Sequence, residues 1–299
     1  MPDSQKRPPV FISHASANLA VARQIEAALE AAGFDPWLDH SDIRVGALLG
    51  KTLQQAIRKS RAMVLVWSKP ASESRWVAAE ILSAFHMDRY IVPCVVSAVG
   101  LPEFLARSVY LDLRKGRDDA LSRLGDQVRR APRARNEFAA VGSFQDAELS
   151  RAIANLIAQQ RAVLGSASLA DSRRLQGALD ADMHAAEQRW RHDPTILNLA
   201  GYHRKNAYML KYWDEYCAGR FPPDPLLDQG ERCFLQALLG NPLDLSALNG
   251  LGNILFFEGE FSAAEFFVER AVACAEATGR DYEDAQHDLA LIRQRTRLQ

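Results

Sequence analysis

Few residues of this sequence are of a type and spacing that could do chemistry, and several familiar arrangements fail on inspection. Gly46-Ala47-Leu48-Leu49-Gly50-Lys51-Thr52 looks like a phosphate-binding loop. Such a loop needs four residues between its glycines, so that successive backbone N–H groups wrap a phosphate. Here three residues separate them, Val45 stands where the first glycine belongs, and no strand leads directly into the segment. There is no HExxH, GxSxG or GxGxxG, which removes the usual zinc-hydrolase, serine-hydrolase and dinucleotide-fold signatures. The seven histidines are scattered; His14 alone sits at a strand end where a ligand can bind, and most others read as surface residues of helices. Cys94, Cys217, Cys233 and Cys274 form no CxxC pair and no metal-type spacing, so buried reduced thiols and no metal site are expected.

What remains is a constellation spread over three strand ends. The first is Val10-Phe11-Ile12-Ser13-His14-Ala15-Ser16; the second is Pro36-Trp37-Leu38-Asp39 with the loop from Ile43 to Gly46. The third is Trp67-Ser68, followed by Ser74-Arg75-Trp76-Val77-Ala78-Ala79-Glu80-Ile81. Short β-rich runs at 10–13, 35–38, 63–67, 91–96 and 109–113 are expected to be strands. Between and after them, helical spacing appears at 19–32, 51–60, 75–88 and 117–130, with Gly33 suited to end the first helix. Strands alternating with helices imply a parallel sheet covered on both faces, whose ligands sit beyond the carboxyl ends of the strands.

Residues 131–136 break this pattern and read as a linker, and everything beyond reads helical. Within that second half Leu248, Leu251-Gly252, Leu255, Gly259, Phe261, Ala264, Val268 and Ala271 resemble a tetratricopeptide repeat, that is, a helix, a glycine turn and a second helix. Phe234 and Ala237 lie one repeat period upstream, Pro242 falls where such a repeat ends, and a more degenerate unit starts near Thr195 with its turn enlarged by 218–225. A generic antiparallel helix bundle is the alternative. The expected division is 1–131, a linker at 132–145, and a helical domain at 146–299.

Composition narrows the partners. With 36 basic and 37 acidic residues and a net charge of -1, nothing favours nucleic acid or an acidic membrane as a direct ligand. Hydrophobic residues at 48% and charged residues at 24% are globular proportions. No signal-peptide core or membrane-length apolar run occurs, so a cytoplasmic location is expected.

In order and within the alternating pattern, the three strand-end segments resemble the TIR family over roughly residues 9–131. "VFISHAS" is similar to its first box, "WLD…I..G" to its BB loop, and "S.WV..E" to the segment that holds its catalytic glutamate. The resemblance implies a flavodoxin-like five-stranded parallel sheet, here followed by an all-α repeat domain. It also implies NAD as a substrate, with no further cofactor, and Glu80 as the catalytic residue. The chemistry is consistent on its own terms. Nicotinamide is a cationic leaving group that departs neutral, so no general acid is needed; positive charge develops on the ribose, where one carboxylate can stabilise it. Trp76 lies four residues before Glu80, on the same helix face, and can wall the pocket. Ser13 and His14 can approach phosphate or ribose, or simply form the loop. Asp39 and Gly46 would shape the BB loop, Gly46 by taking a positive φ. Leu48 occupies a position where some NAD-cleaving relatives carry an aromatic, and Ala15 and Ser16 replace basic residues often found after the first box.

The leading expectation is a TIR effector that cleaves NAD, of the type found in bacterial immune (antiviral) defence, quiet until the helical domain responds to a protein or ligand trigger. Self-association through TIR domains is implied, with the BB loop as contact. Two other readings stay open: a non-catalytic TIR scaffold for signalling, and an enzyme making a cyclic ADP-ribose-type messenger, which begins with the same bond cleavage.

Overall fold

The β-branched and aromatic runs form strands because their side chains can be buried on both faces of a pleated sheet at once. In the computed structural model, which describes residues 7–38, 51–136 and 146–297, these runs build β1 (Pro9–Ser13), β2 (Asp35–Leu38), β3 (Ala62–Trp67), β4 (Tyr90–Val95) and β5 (Leu111–Asp112). All pair in parallel, in the order β2-β1-β3-β4-β5. The chain divides into two compact units, Met1–Ala139 and Ala140–Gln299.

Alternation along the strands decides which face each side chain serves. Val10 and Ile12 of β1, Val64 and Val66 of β3, and Val92 and Cys94 of β4 share one core with Ile25 and Leu29 of α1 (Leu19–Ala31) and Leu124 and Val128 of α5 (Arg117–Arg130). The intervening residues, Phe11 and Ser13 of β1 among them, face the other side. There α2 (Lys51–Lys59), α3 (Lys69–Ser72) and α4 (Arg75–His86) pack on the sheet. Gly33, at φ +85°, ends α1 as expected: its N–H bonds to Glu30 O and that of Phe34 to Leu29 O.

Two expectations about this unit are refined. Strand β5 is shorter than the run at 109–113, and Val109 and Tyr110 before it are exposed. Asn136, placed in the linker by the sequence, is buried and supplies the missing pairing. Its Oδ1 accepts from Ile91 N–H at 2.9 Å, and its Nδ2 donates to Ile91 O at 3.2 Å and Ser108 Oγ at 2.7 Å. A side-chain amide thus serves β4 where its neighbour strand has not begun.

The second unit is all-helical among the described residues: α6 (Ala147–Leu164), α7 (Leu169–Arg189), α8 (Pro194–Lys211), the short α9 (Trp213–Cys217), α10 (Pro225–Gly240), α11 (Leu245–Phe257), α12 (Phe261–Ala277) and α13 (Glu283–Thr296). Asp193, Asp224 and Asp244 cap three of these helices, the first two with proline at the next position, where its missing N–H costs nothing. Successive long helices pack on one another from α6 to α13. The hairpin α11–α12 turns on Gly259 at φ +81°. At Gly252 the two helices approach so closely that a Cβ would sit 2.3 Å from Val268 Cγ2. The repeat pattern read around Gly252 and Gly259 therefore corresponds to a real helix–turn–helix unit.

Several side chains depart from their expected exposure, Cys233 and Cys274 being half-buried rather than buried. His86 and His203 are buried rather than superficial, because α4 is enclosed along residues 77–86 and α8 lies between α7 and α10. Cys217 is exposed rather than buried, since it ends the short α9 inside the enlarged turn. Among the described residues no helix is long and apolar enough to cross a membrane.

Candidate active site

The order β2-β1-β3 puts a topological switch point between β1 and β3, and in open α/β sheets the crevice at the carboxyl ends of such strands is where ligands bind. Ser13 is the last residue of β1 and lies opposite Leu65 of β3. Strand alternation turns its hydroxyl away from the α1/α5 core and toward α4. There Ser13 Oγ donates to Glu80 Oε2 at 2.5 Å, although the two residues are 67 positions apart. Ser13 is fully buried and Glu80 is 5% exposed.

Helix α4 positions that carboxylate. Ser74 caps it by accepting the Val77 N–H at 3.3 Å, so the helix begins close behind the end of β3 and runs back along the sheet. At its far end Asp88 takes the left-handed conformation at φ 56°, with the Arg89 N–H bonded to Ala84 O and that of Asp88 to Phe85 O, which stops the helix sharply. All the residues from Val77 to His86 are buried, so Glu80 is an acidic side chain in an otherwise largely apolar helix. Burying a carboxylate is costly unless donors meet it, and a short bond from a hydroxyl is the stabilising kind. Trp76, one turn nearer the strand ends, is half-buried, and so is His14, the residue after Ser13. Ser13, His14, Trp76 and Glu80 are thus disposed around the carboxyl end of β1 and the first turns of α4. Asp39, Gly46 and Leu48 lie outside the described residues.

Sequence reasoning missed the polar frame at this edge. Ser68, directly after β3, donates to Asn18 Oδ1 at 2.6 Å and accepts the Ala71 N–H at 3.1 Å, tying the turn after β1 to the start of α3. Lys69 N–H bonds Ser97 Oγ at 2.9 Å, and Trp67 Nε1 donates to Gly100 O at 2.8 Å, which fastens the ends of β3 and β4 together. The available signal was position: small polar residues placed directly after apolar strands.

A carboxylate pinned at the carboxyl end of β1, beside the switch point, can stabilise a developing cation or hold hydroxyl groups of a ligand. No curated protein matches the chain. Residues 10–125 match the family model of the TIR domain. The sheet order, the strand-end segments and that match together make the N-terminal unit a TIR domain, followed by a separate all-helical unit.

Proposed function

We propose that the TIR domain cleaves the bond between nicotinamide and ribose in NAD. The observation that supports this reading is the buried Ser13–Glu80 pair at the carboxyl end of β1. In the reaction the C1′–N bond breaks, its electron pair leaves with nicotinamide as a neutral molecule, and the ribose becomes an oxocarbenium-like cation. Glu80 stabilises that cation and engages the ribose hydroxyls. Water then adds to C1′ and loses a proton, giving ADP-ribose; attack by a nitrogen of the adenine ring instead would give a cyclic product. Ser13 is a positioning residue: its hydroxyl fixes the carboxylate direction before substrate arrives. Trp76 walls the site, and His14 meets ribose or phosphate.

The same reading assigns the loop holding Asp39, Gly46 and Leu48 to a contact with a second TIR domain that completes the pocket. The helical unit then acts as the sensor, by partner binding or assembly, and the setting is bacterial defence in the cytoplasm. The test is release of free nicotinamide from NAD by the concentrated full chain. Glu80→Gln keeps the shape of the side chain and removes its charge, so release should fall by roughly a hundredfold or more. Chromatography of the ribosyl product separates hydrolysis from cyclisation. No release from the wild-type chain over a wide concentration range would leave a binding scaffold.

A further inference from the structure

The helical unit holds a cavity of about 570 Å³ bounded by α8, by α9 and the turn after it, by α11 and by α13. One wall is aromatic. Phe221 stacks on Phe257 with centroids 4.8 Å apart, Phe256 meets the Phe221 ring at 5.5 Å, and Tyr216 meets Phe257 edge-on at 5.8 Å. Polar side chains converge on it from three helices, Lys205 of α8, Asn253 of α11, and Asp288 and Arg295 of α13, beside the apolar Leu291 and Ile292 of α13.

The charges in this lining are unevenly matched. Lys205 is half-buried with its Nζ 4.9 Å from the Tyr202 ring centroid, and no carboxylate lies within ion-pair distance of it among the described residues. Its burial lowers the ammonium pKa, with Asp288 and Asp284 opposing from further away. Arg295 donates to Gly219 O at 2.9 Å and likewise has no acidic partner within ion-pair distance among the described residues. Asp288 is the one acid in the lining among the described residues. Its Oδ2 accepts from Asn249 Nδ2 and Asn253 Nδ2, both at 2.9 Å, while no described side chain donates to its Oδ1. Within the lining itself two cations stand against one hydrogen-bonded carboxylate, with Asp284 acting on Lys205 from outside it. Lys205 is half-buried with no carboxylate at ion-pair distance among the described residues, and Arg295 is exposed at the cavity rim, so both can take an anionic group of a ligand.

We infer that this cavity binds a nucleoside phosphate. An aromatic wall takes the flat face of a base, as such walls do without sequence preference. An acceptor carboxylate held by two amides suits ribose hydroxyls, and a lysine and an arginine suit phosphate oxygens. The volume is in the range of small-molecule sites. A ligand seated this way bridges α8, α11 and α13, and so couples the middle of the helical array to its last helix. The inference stands apart from the reaction at Glu80, which lies in the other unit.

Isothermal titration of the full chain with AMP tests it, with adenosine and inorganic phosphate as half-ligands. AMP should bind with a dissociation constant below a millimolar, and each half-ligand at least roughly tenfold more weakly. Lys205→Met should weaken AMP by roughly tenfold or more, the worth of one charge-assisted contact, at an unchanged melting temperature. Arg295→Gln, on an exposed side chain, should weaken it several-fold and decides the matter if Lys205→Met fails to fold. No AMP binding up to several millimolar, or AMP binding untouched by both changes and therefore seated elsewhere, would overturn the inference.

Discussion

Replacing Asn136 by alanine is the most informative change outside the candidate active site, because the structure says what each lost bond does. The substitution removes three hydrogen bonds, two of them to the backbone of Ile91, a residue 1% exposed in β4. The Ile91 N–H and C=O would lose those partners at a place where β5 has not begun. A buried backbone group left unsatisfied costs about 1–3 kcal/mol, and water entering the space left by the amide offsets part of that. The expected loss is about 2–4 kcal/mol, a large share of the ~5–15 kcal/mol that holds a typical domain together. For a unit of this size the melting temperature should fall by roughly 8–15 °C. Scanning calorimetry of the full chain is the assay, and the TIR transition is the one that moves with Asn136→Ala while the helical transition stays. A melting temperature unchanged within about a degree would refute the idea that this side chain serves as a strand neighbour.

Three further outcomes are expected. Gly252→Ala puts a Cβ 2.3 Å from Val268 Cγ2 and 3.1 Å from Ala264 O, so the helical transition alone should lose about 1–3 kcal/mol, measured by denaturant melting. His203 is held below its ordinary pKa of 6.5, first by burial and against the pull of Asp180. A base so depressed binds fewer protons folded than unfolded; its contribution is therefore full above pH 6.5 and lost as pH falls below it, by at most about 1.4 kcal/mol per pH unit. Melting of the helical unit against pH should show that slope, and His203→Gln should flatten it. Ser13→Ala should lower the rate of nicotinamide release while leaving the NAD KM within a few-fold, since a positioning residue acts through Glu80; a KM effect alone would reassign Ser13 to substrate binding.

Much of the TIR unit was legible in the sequence because burial on both faces writes a nearly continuous apolar run, as in Met63-Val64-Leu65-Val66-Trp67. Gly33 and Gly259 were legible as helix ends for a related reason: a positive φ favours the residue without a Cβ. The Ser13–Glu80 bond was not, since a pairing across 67 residues depends on strand order and on the side of the sheet that α4 covers. Asn136 was misplaced because an asparagine among arginines and a proline is locally a linker signal, whatever it reaches in space. His203 reads as a helix-surface residue until α7 supplies Asp180, 2.9 Å from its Nε2, and Gln176, 2.8 Å from its Nδ1. The polar lining around Lys205 and Asp288 escaped notice likewise, because its members come from α8, α11 and α13 and share no local spacing.

Whether Glu80 carries the proposed NAD cleavage is decided by nicotinamide release from folded wild-type and Glu80→Gln proteins at equal concentration. Steady release by the wild type is expected, with roughly a hundredfold less, or none, from Glu80→Gln at a closely similar melting temperature. Equal release from the two folded proteins would remove Glu80 from that role.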